Sequence, residues 1–116
     1  MPFGLNPDVV EQIRSVFAGY PQVETVILYG SRAKGDFKPG SDIDLTLKGT
    51  ELEFAVLARI ETKLDDLLLP WSFDLSIYSQ LENRELIDHI DRVGKVFYQR
   101  GAPAENVGSR PCSRPR

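Results

Sequence analysis

Hydrophobic residues recur along this chain in two rhythms, one close to the helical period and one of period two. Val9, Val10, Ile13, Val16 and Phe17 form a stripe at helical spacing, which predicts a helix packed on a sheet. Asn6-Pro7-Asp8 marks its start. It offers a capping side chain, a proline where the missing N–H costs nothing, and an acid at the positive end of the helix dipole. Gly19-Tyr20-Pro21 closes the helix. Residues 23–29 are a nearly continuous β-branched run, which predicts a central strand. Residues 42–48 alternate instead. Ile43, Leu45 and Leu47 leave one face of this second strand, and Asp42 and Asp44 leave the other. A connection of twelve residues, 30–41, returns it antiparallel beside the first.

The second half repeats the logic. Thr50-Glu51-Leu52-Glu53 reads as a capping box. The helix it opens turns Phe54, Leu57, Ile60, Leu64, Leu67 and Leu68 inward, leaves Asp65 and Asp66 in solvent, and stops at Pro70. In residues 71–78, Phe73, Leu75 and Ile77 alternate with Ser72, Asp74 and Ser76, a third strand whose Trp71 caps the core. Ser79-Gln80-Leu81-Glu82 reads as a second capping box, before a helix presenting Leu86, Ile87, Ile90 and Val93. Gly94 breaks that helix, and Lys95-Val96-Phe97-Tyr98 reads as a short strand or a packed extension. From Gly101 onward periodicity is lost in Gly, Ala, Pro, Ser and Arg. One folded domain over residues 1–99 and a disordered tail over 100–116 are therefore expected. The fold class is α+β: a small mixed or antiparallel sheet with helices mainly on one face.

Composition narrows the function classes. A chain of 116 residues makes one domain with one core. Its single cysteine, Cys112, excludes an internal disulfide and a cysteine-based zinc site. No signal peptide or long apolar run is visible, so a cytoplasmic protein with no membrane contact is expected. The net charge of −3 is uneven, with 10 Lys/Arg against 16 Asp/Glu in residues 1–99 and 4 Arg against 1 Glu afterwards. An acidic body argues against an extensive nucleic-acid groove, which needs basic surface. The tail arginines could meet an acidic partner or carry no role.

The chemistry concentrates in residues 29–45. The first strand runs into Gly30-Ser31, and after ten residues comes Asp42-Ile43-Asp44. Gly30 has no Cβ to keep backbone N–H groups from a phosphate, and Ser31 adds a hydroxyl donor. Asp42 and Asp44 share one strand face and are hard oxygen ligands of the kind Mg²⁺ takes. Asp74 stands alone on the polar face of the third strand. Adjacent strands lie about 4.8 Å apart, so side by side the two strands would gather three carboxylates. Such a cluster repels itself unless cations neutralise it. Arg32, Lys34 and Lys38 punctuate the intervening loop, where Arg32 is the best placed to meet a triphosphate. Ser41 could order the turn or touch phosphate. The plainer alternative is a strand–turn–strand unit with solvated aspartates and a solvated basic loop.

Gly-Ser, ten residues, then Asp-x-Asp resembles the signature of the polymerase-β-like nucleotidyltransferases, over residues 7–99. The closest resemblance is to the minimal nucleotidyltransferases, small single domains often paired, as antitoxins, with a HEPN ribonuclease toxin. It implies a Mg²⁺-dependent enzyme, with two ions held by Asp42, Asp44 and Asp74 as the catalytic carboxylates. It further implies nucleotide binding by Gly30, Ser31 and Arg32. The expected reaction moves AMP from ATP to a hydroxyl on a partner protein. The rivals are an antibiotic-type, small-molecule nucleotidyltransferase and a non-catalytic antitoxin that acts by binding. Arg84 and His89 also resemble the Arg-x4-His motif of HEPN ribonucleases. Five positions along one helix turn two side chains about 140° apart, so they cannot converge, and His89 is read as a boundary residue.

Overall fold

Strand β1 (Thr25–Tyr29) lies inside the sheet, as its β-branched run predicts. The computed structural model describes residues 4–35, 38 and 40–101. It contains a four-stranded sheet ordered β3-β2-β1-β4, with β2 at Ile43–Lys48, β3 at Phe73–Ile77 and β4 at Lys95–Gln99. Both neighbours of β1 run antiparallel to it, and β3 runs parallel to β2. The sheet is thus mixed. A parallel pair needs a crossover, and helix α3 (Phe54–Asp66) provides it. The expected tail from residue 102 onward lies outside the described residues, as do Pro39 and Cys112. The described chain continues past residue 99: Arg100 donates its N–H to the Glu24 carbonyl at 2.8 Å.

The apolar faces close on one another as the alternation requires. Val26, Leu28, Ile43, Leu45 and Leu47 are fully buried. They form one core with Val10, Ile13 and Phe17 of α1 (Pro7–Ala18) and Val56, Leu57, Ile60 and Leu64 of α3. Asn6 caps α1 as predicted, its side chain accepting the Asp8 N–H at 2.7 Å.

Both predicted capping boxes are displaced. Helix α3 begins at Phe54 behind Glu53, which makes no side-chain cap. Thr50 instead donates its N–H and hydroxyl to the Glu24 carboxylate. The later start turns Val56 inward, while Phe54 and Leu68 are 64% and 88% exposed rather than packed. Leu68 sits at φ 57°, the left-handed conformation that ends a helix, and so points away from the core. Ser79 and Gln80 lie in a 3₁₀ turn, and α4 (Arg84–Val93) is capped by Asn83, whose side chain accepts the Leu86 N–H at 3.0 Å.

Helix α4 also occupies the face opposite α1 and α3. Cross-strand partners share a face, so Ile27, Thr46, Tyr29, Asp44 and Asp74 point together, away from the core side. Gly94, at the end of α4, lies against Ile27, where a Cβ would stand 2.6 Å from Ile27 Cγ2. The acidic face of the sheet is therefore walled on its β1 side.

Candidate active site

The site begins where β1 ends. Gly30 turns the chain into a single helical turn, α2 (Ser31–Lys34), at φ 80° and ψ −157°, a conformation open essentially to glycine alone. A second constraint acts on the same atom position. A Cβ on Gly30 would collide with Oδ2 of Asp44 on the adjacent strand. Gly30 is thus required both by its own backbone and by the carboxylate packed against it.

Sheet register assembles the acids. Asp44 is the partner of Tyr29 in β1 and of Asp74 in β3. Asp42 stands just before β2, exposed, as is Asp74, while Asp44 is half-buried. Burial, and then the charges of Asp74 and Asp42, raise the Asp44 carboxyl above its ordinary value. Among the described residues, no group of three His, Cys, Asp or Glu side chains is arranged as a ready metal cluster. Like charges without a counter-charge resist closer approach.

Hydroxyl groups floor this face. The Ser76 hydroxyl donates to Thr46 Oγ1 at 2.9 Å, and Thr46 is fully buried. Tyr29, 7% exposed, shares a hydrogen bond with Ser76. Burial first, then the nearby Asp74 and Asp44 charges, push its phenol above the ordinary value, so it stays neutral. Sequence reading assigned no chemistry to Tyr29, Thr46 or Ser76; an apolar run conceals which of its members face the polar side.

Arg32 has a different place from the one expected. It is 3% exposed, and its Nε and Nη2 both donate to the Ser41 carbonyl, at 3.2 and 3.1 Å. The guanidinium lies over the Trp71 ring, 5.7 Å from its centroid. Arg32 ties α2 to the residue before Asp42 and to the approach to β3. Burial lowers its proton affinity. Ser41 orders the turn, its Oγ accepting the Lys38 N–H at 2.8 Å. Lys34 and Lys38 are exposed.

Gly30 is engaged from the far side of the sheet face by α4. Its N–H is donated to Nε2 of His89 at 3.1 Å. The imidazole meets the Tyr29 ring edge-on, with centroids 6.2 Å apart. Its helical position alone marks His89 only as a boundary residue. The available signal was that it is the chain's only histidine, on the polar margin of an amphipathic helix.

A Gly-Ser turn leaving one strand, beside an Asp-x-Asp strand and a third strand carrying a facing aspartate, defines a nucleotidyltransferase-type domain. The polymerase beta nucleotidyltransferase family model matches residues 11–102, and the chain belongs to that family. Solved structures share the fold. A toxin–antitoxin complex with AMP-PNP contains a chain matching at TM-score 0.63 and 20% identity, over 84% of this chain and 76% of that one. A chain of the MntA–HepT toxin–antitoxin matches at TM-score 0.60 and 18% identity, over 81% and 73%. The tri-AMPylated Shewanella oneidensis HEPN toxin in complex with MNT antitoxin contains a chain matching at TM-score 0.58 and 18% identity, over 78% and 70%. At these identities the likeness is one of fold. No curated protein matches the chain significantly. Among the described residues, no helix is long and apolar enough to cross a membrane.

Proposed function

We propose that this protein is a Mg²⁺-dependent adenylyltransferase acting on a HEPN ribonuclease toxin, as its antitoxin. The observation that carries the reading is the register pairing of Asp44 with Asp74, with the Asp44 carboxylate packed against the Gly30 turn. Family membership supports the reaction class, and the likeness to chains of toxin–antitoxin complexes supports the partner.

The residues fit a divalent metal. Three carboxylates are a hard-oxygen donor set, and the Asp44 carboxyl is raised by burial and then by its neighbours Asp74 and Asp42, a setting that a bound cation would relieve. Asp42 and Asp44 would hold one ion against the triphosphate, and Asp74 would help hold a second. Bound Mg²⁺ supplies charge neutralisation at the triphosphate and the attacking oxygen.

The chain's own residues then position and move protons. The Gly30 N–H is engaged by His89, so the Ser31 hydroxyl becomes the leading phosphate donor of the turn. An acceptor hydroxyl oxygen bonds to the α-phosphorus of ATP as the bond to the β-phosphate bridging oxygen breaks. Pyrophosphate leaves, and the hydroxyl proton passes to Asp74. Catalysis is chiefly positioning and electrostatics.

The exposure of Asp42 and Asp74 leaves the site open on the β3 side. An open face orients a small acceptor poorly, whereas a docked protein brings both its hydroxyl and interface energy. A tyrosine suits this geometry, with a long reach and a hydroxyl pKa of about 10.

Thermal unfolding tests the site without an acceptor. Mg²⁺ with ATP raises the Tm of wild type and leaves the Asp42→Asn/Asp44→Asn variant unmoved. Equal shifts in both proteins, or none in wild type, contradict the assignment.

A further inference from the structure

His89 is the side chain that α4 sends against the Gly30 turn, and the proposed reaction gives it no part in the transfer itself. Its Nε2 accepts the Gly30 N–H at 3.1 Å, across 59 residues of sequence. A backbone amide can only donate, so Nε2 carries no proton here and the ring proton resides on Nδ1. The ring edge packs on Tyr29 with planes inclined at 79°.

These contacts bear on the least constrained residue of the site. Glycine has the widest conformational freedom, so a glycine turn holds its shape only when its surroundings impose it. Gly30 is held on both sides. Its carbonyl accepts the Ala33 and Lys34 N–H groups of α2, each at 3.1 Å. Its N–H is held by His89, and the ring of the residue before it, Tyr29, by the same imidazole. The turn in turn sets two groups of the site. Ser31 follows Gly30 directly, and the Asp44 carboxylate occupies the space a Cβ on Gly30 would fill. A shift at Gly30 therefore moves the phosphate donor and the central carboxylate together.

We infer that His89 is a positioning residue of the nucleotide site, clamping the Gly30 turn so that Ser31 and Asp44 are seated before nucleotide arrives. The inference rests on the reading of this face as a Mg²⁺–nucleotide site. It assigns α4 a role beyond covering the sheet: nucleotide affinity depends on its docking over β1. Preorganisation of this kind acts on binding, because a loose turn must be ordered when the ligand enters.

Two substitutions separate the clamp from simple packing. His89→Gln retains an acceptor near the place of Nε2. His89→Phe retains a ring against Tyr29 and removes the acceptor. Binding of ATP with Mg²⁺ is measured by calorimetry, and the Gly30 amide and His89 tautomer are read by ¹H–¹⁵N NMR. His89→Phe is expected to weaken binding about tenfold, and His89→Gln no more than about twofold, the scale of one lost hydrogen bond. The Gly30 amide resonance moves in His89→Phe and stays near its wild-type place in His89→Gln. Wild-type affinity in a folded His89→Phe overturns the inference, as does a loss in folded His89→Gln equal to that in His89→Phe. A wild-type imidazole protonated on Nε2 overturns it whether or not either variant folds. Wild type that binds no ATP with Mg²⁺ removes the reading of the site itself, a distinct failure from wild type that binds while His89→Phe equals it.

Discussion

Asp44 stands in the space that a side chain at Gly30 would occupy, its Oδ2 against the missing Cβ. The glycine of the turn after β1 and the first carboxylate on the β2 strand proper are thus one packed unit. The spacing of the Gly-Ser and Asp-x-Asp motifs follows from this contact. The connection must return β2 in register, so that residue 44 lies beside residue 29 and reaches under the turn.

Gly30→Ala should cost about 3 kcal/mol of stability, from a backbone conformation forbidden to alanine and from the clash with Asp44. Urea unfolding of Gly30→Ala, Asp44→Ala and the double variant separates the two sources. A double variant less destabilised than the sum of the single ones shows that the carboxylate contact matters. Loss within about 0.5 kcal/mol in Gly30→Ala contradicts this geometry.

Asp44 also links stability to pH. Its carboxyl is raised above the ordinary value of 3.8 by burial and by its acidic neighbours, so the folded chain binds that proton more tightly than the unfolded chain. Stability contributed by protonated Asp44 is present at acid pH and is lost as pH rises through the raised value. With divalent cations chelated, Asp44→Asn should be more stable than wild type at neutral pH, the gap narrowing toward acid. Urea titrations across pH check this, and a variant less stable than wild type at neutral pH contradicts it.

Arg32→Lys distinguishes a strut from a phosphate ligand. Lysine keeps the charge but not the planar fork that meets the Ser41 carbonyl and lies over Trp71. The strut predicts a stability loss of about 1–2 kcal/mol in the absence of nucleotide. Unchanged unfolding, with weakened nucleotide binding alone, indicates direct phosphate contact instead.

Which parts of this arrangement were legible in the sequence follows from the range of the forces involved. The strands, the first helix and the pairing of β1 with β2 rest on local periodicity and a short connection, and were readable. Asp74 was readable because a lone acid among small polar residues marks one strand face. The helix starts were misplaced because Glu24, distant in sequence, takes the Thr50 hydroxyl, and because Asn83 caps α4 in place of Ser79. The burial of Arg32 was not readable, because a basic residue in a Gly-rich loop usually faces solvent. Its burial depends on Trp71, which no local pattern connects to it. His89 was opaque for the same reason: only the side on which α4 crosses the sheet brings it to Gly30.

The central claim is that Asp42, Asp44 and Asp74 catalyse AMP transfer to a HEPN partner. It is tested most directly by intact-mass and peptide mass spectrometry. The protein is incubated with the proposed HEPN-domain partner, ATP and Mg²⁺. The account predicts that the partner gains the mass of one or more AMP units on a tyrosine. That gain disappears with the Asp42→Asn/Asp44→Asn variant and falls severely with Asp74→Asn. A partner bound tightly and neutralised with no change in mass contradicts the account and establishes inhibition by occlusion.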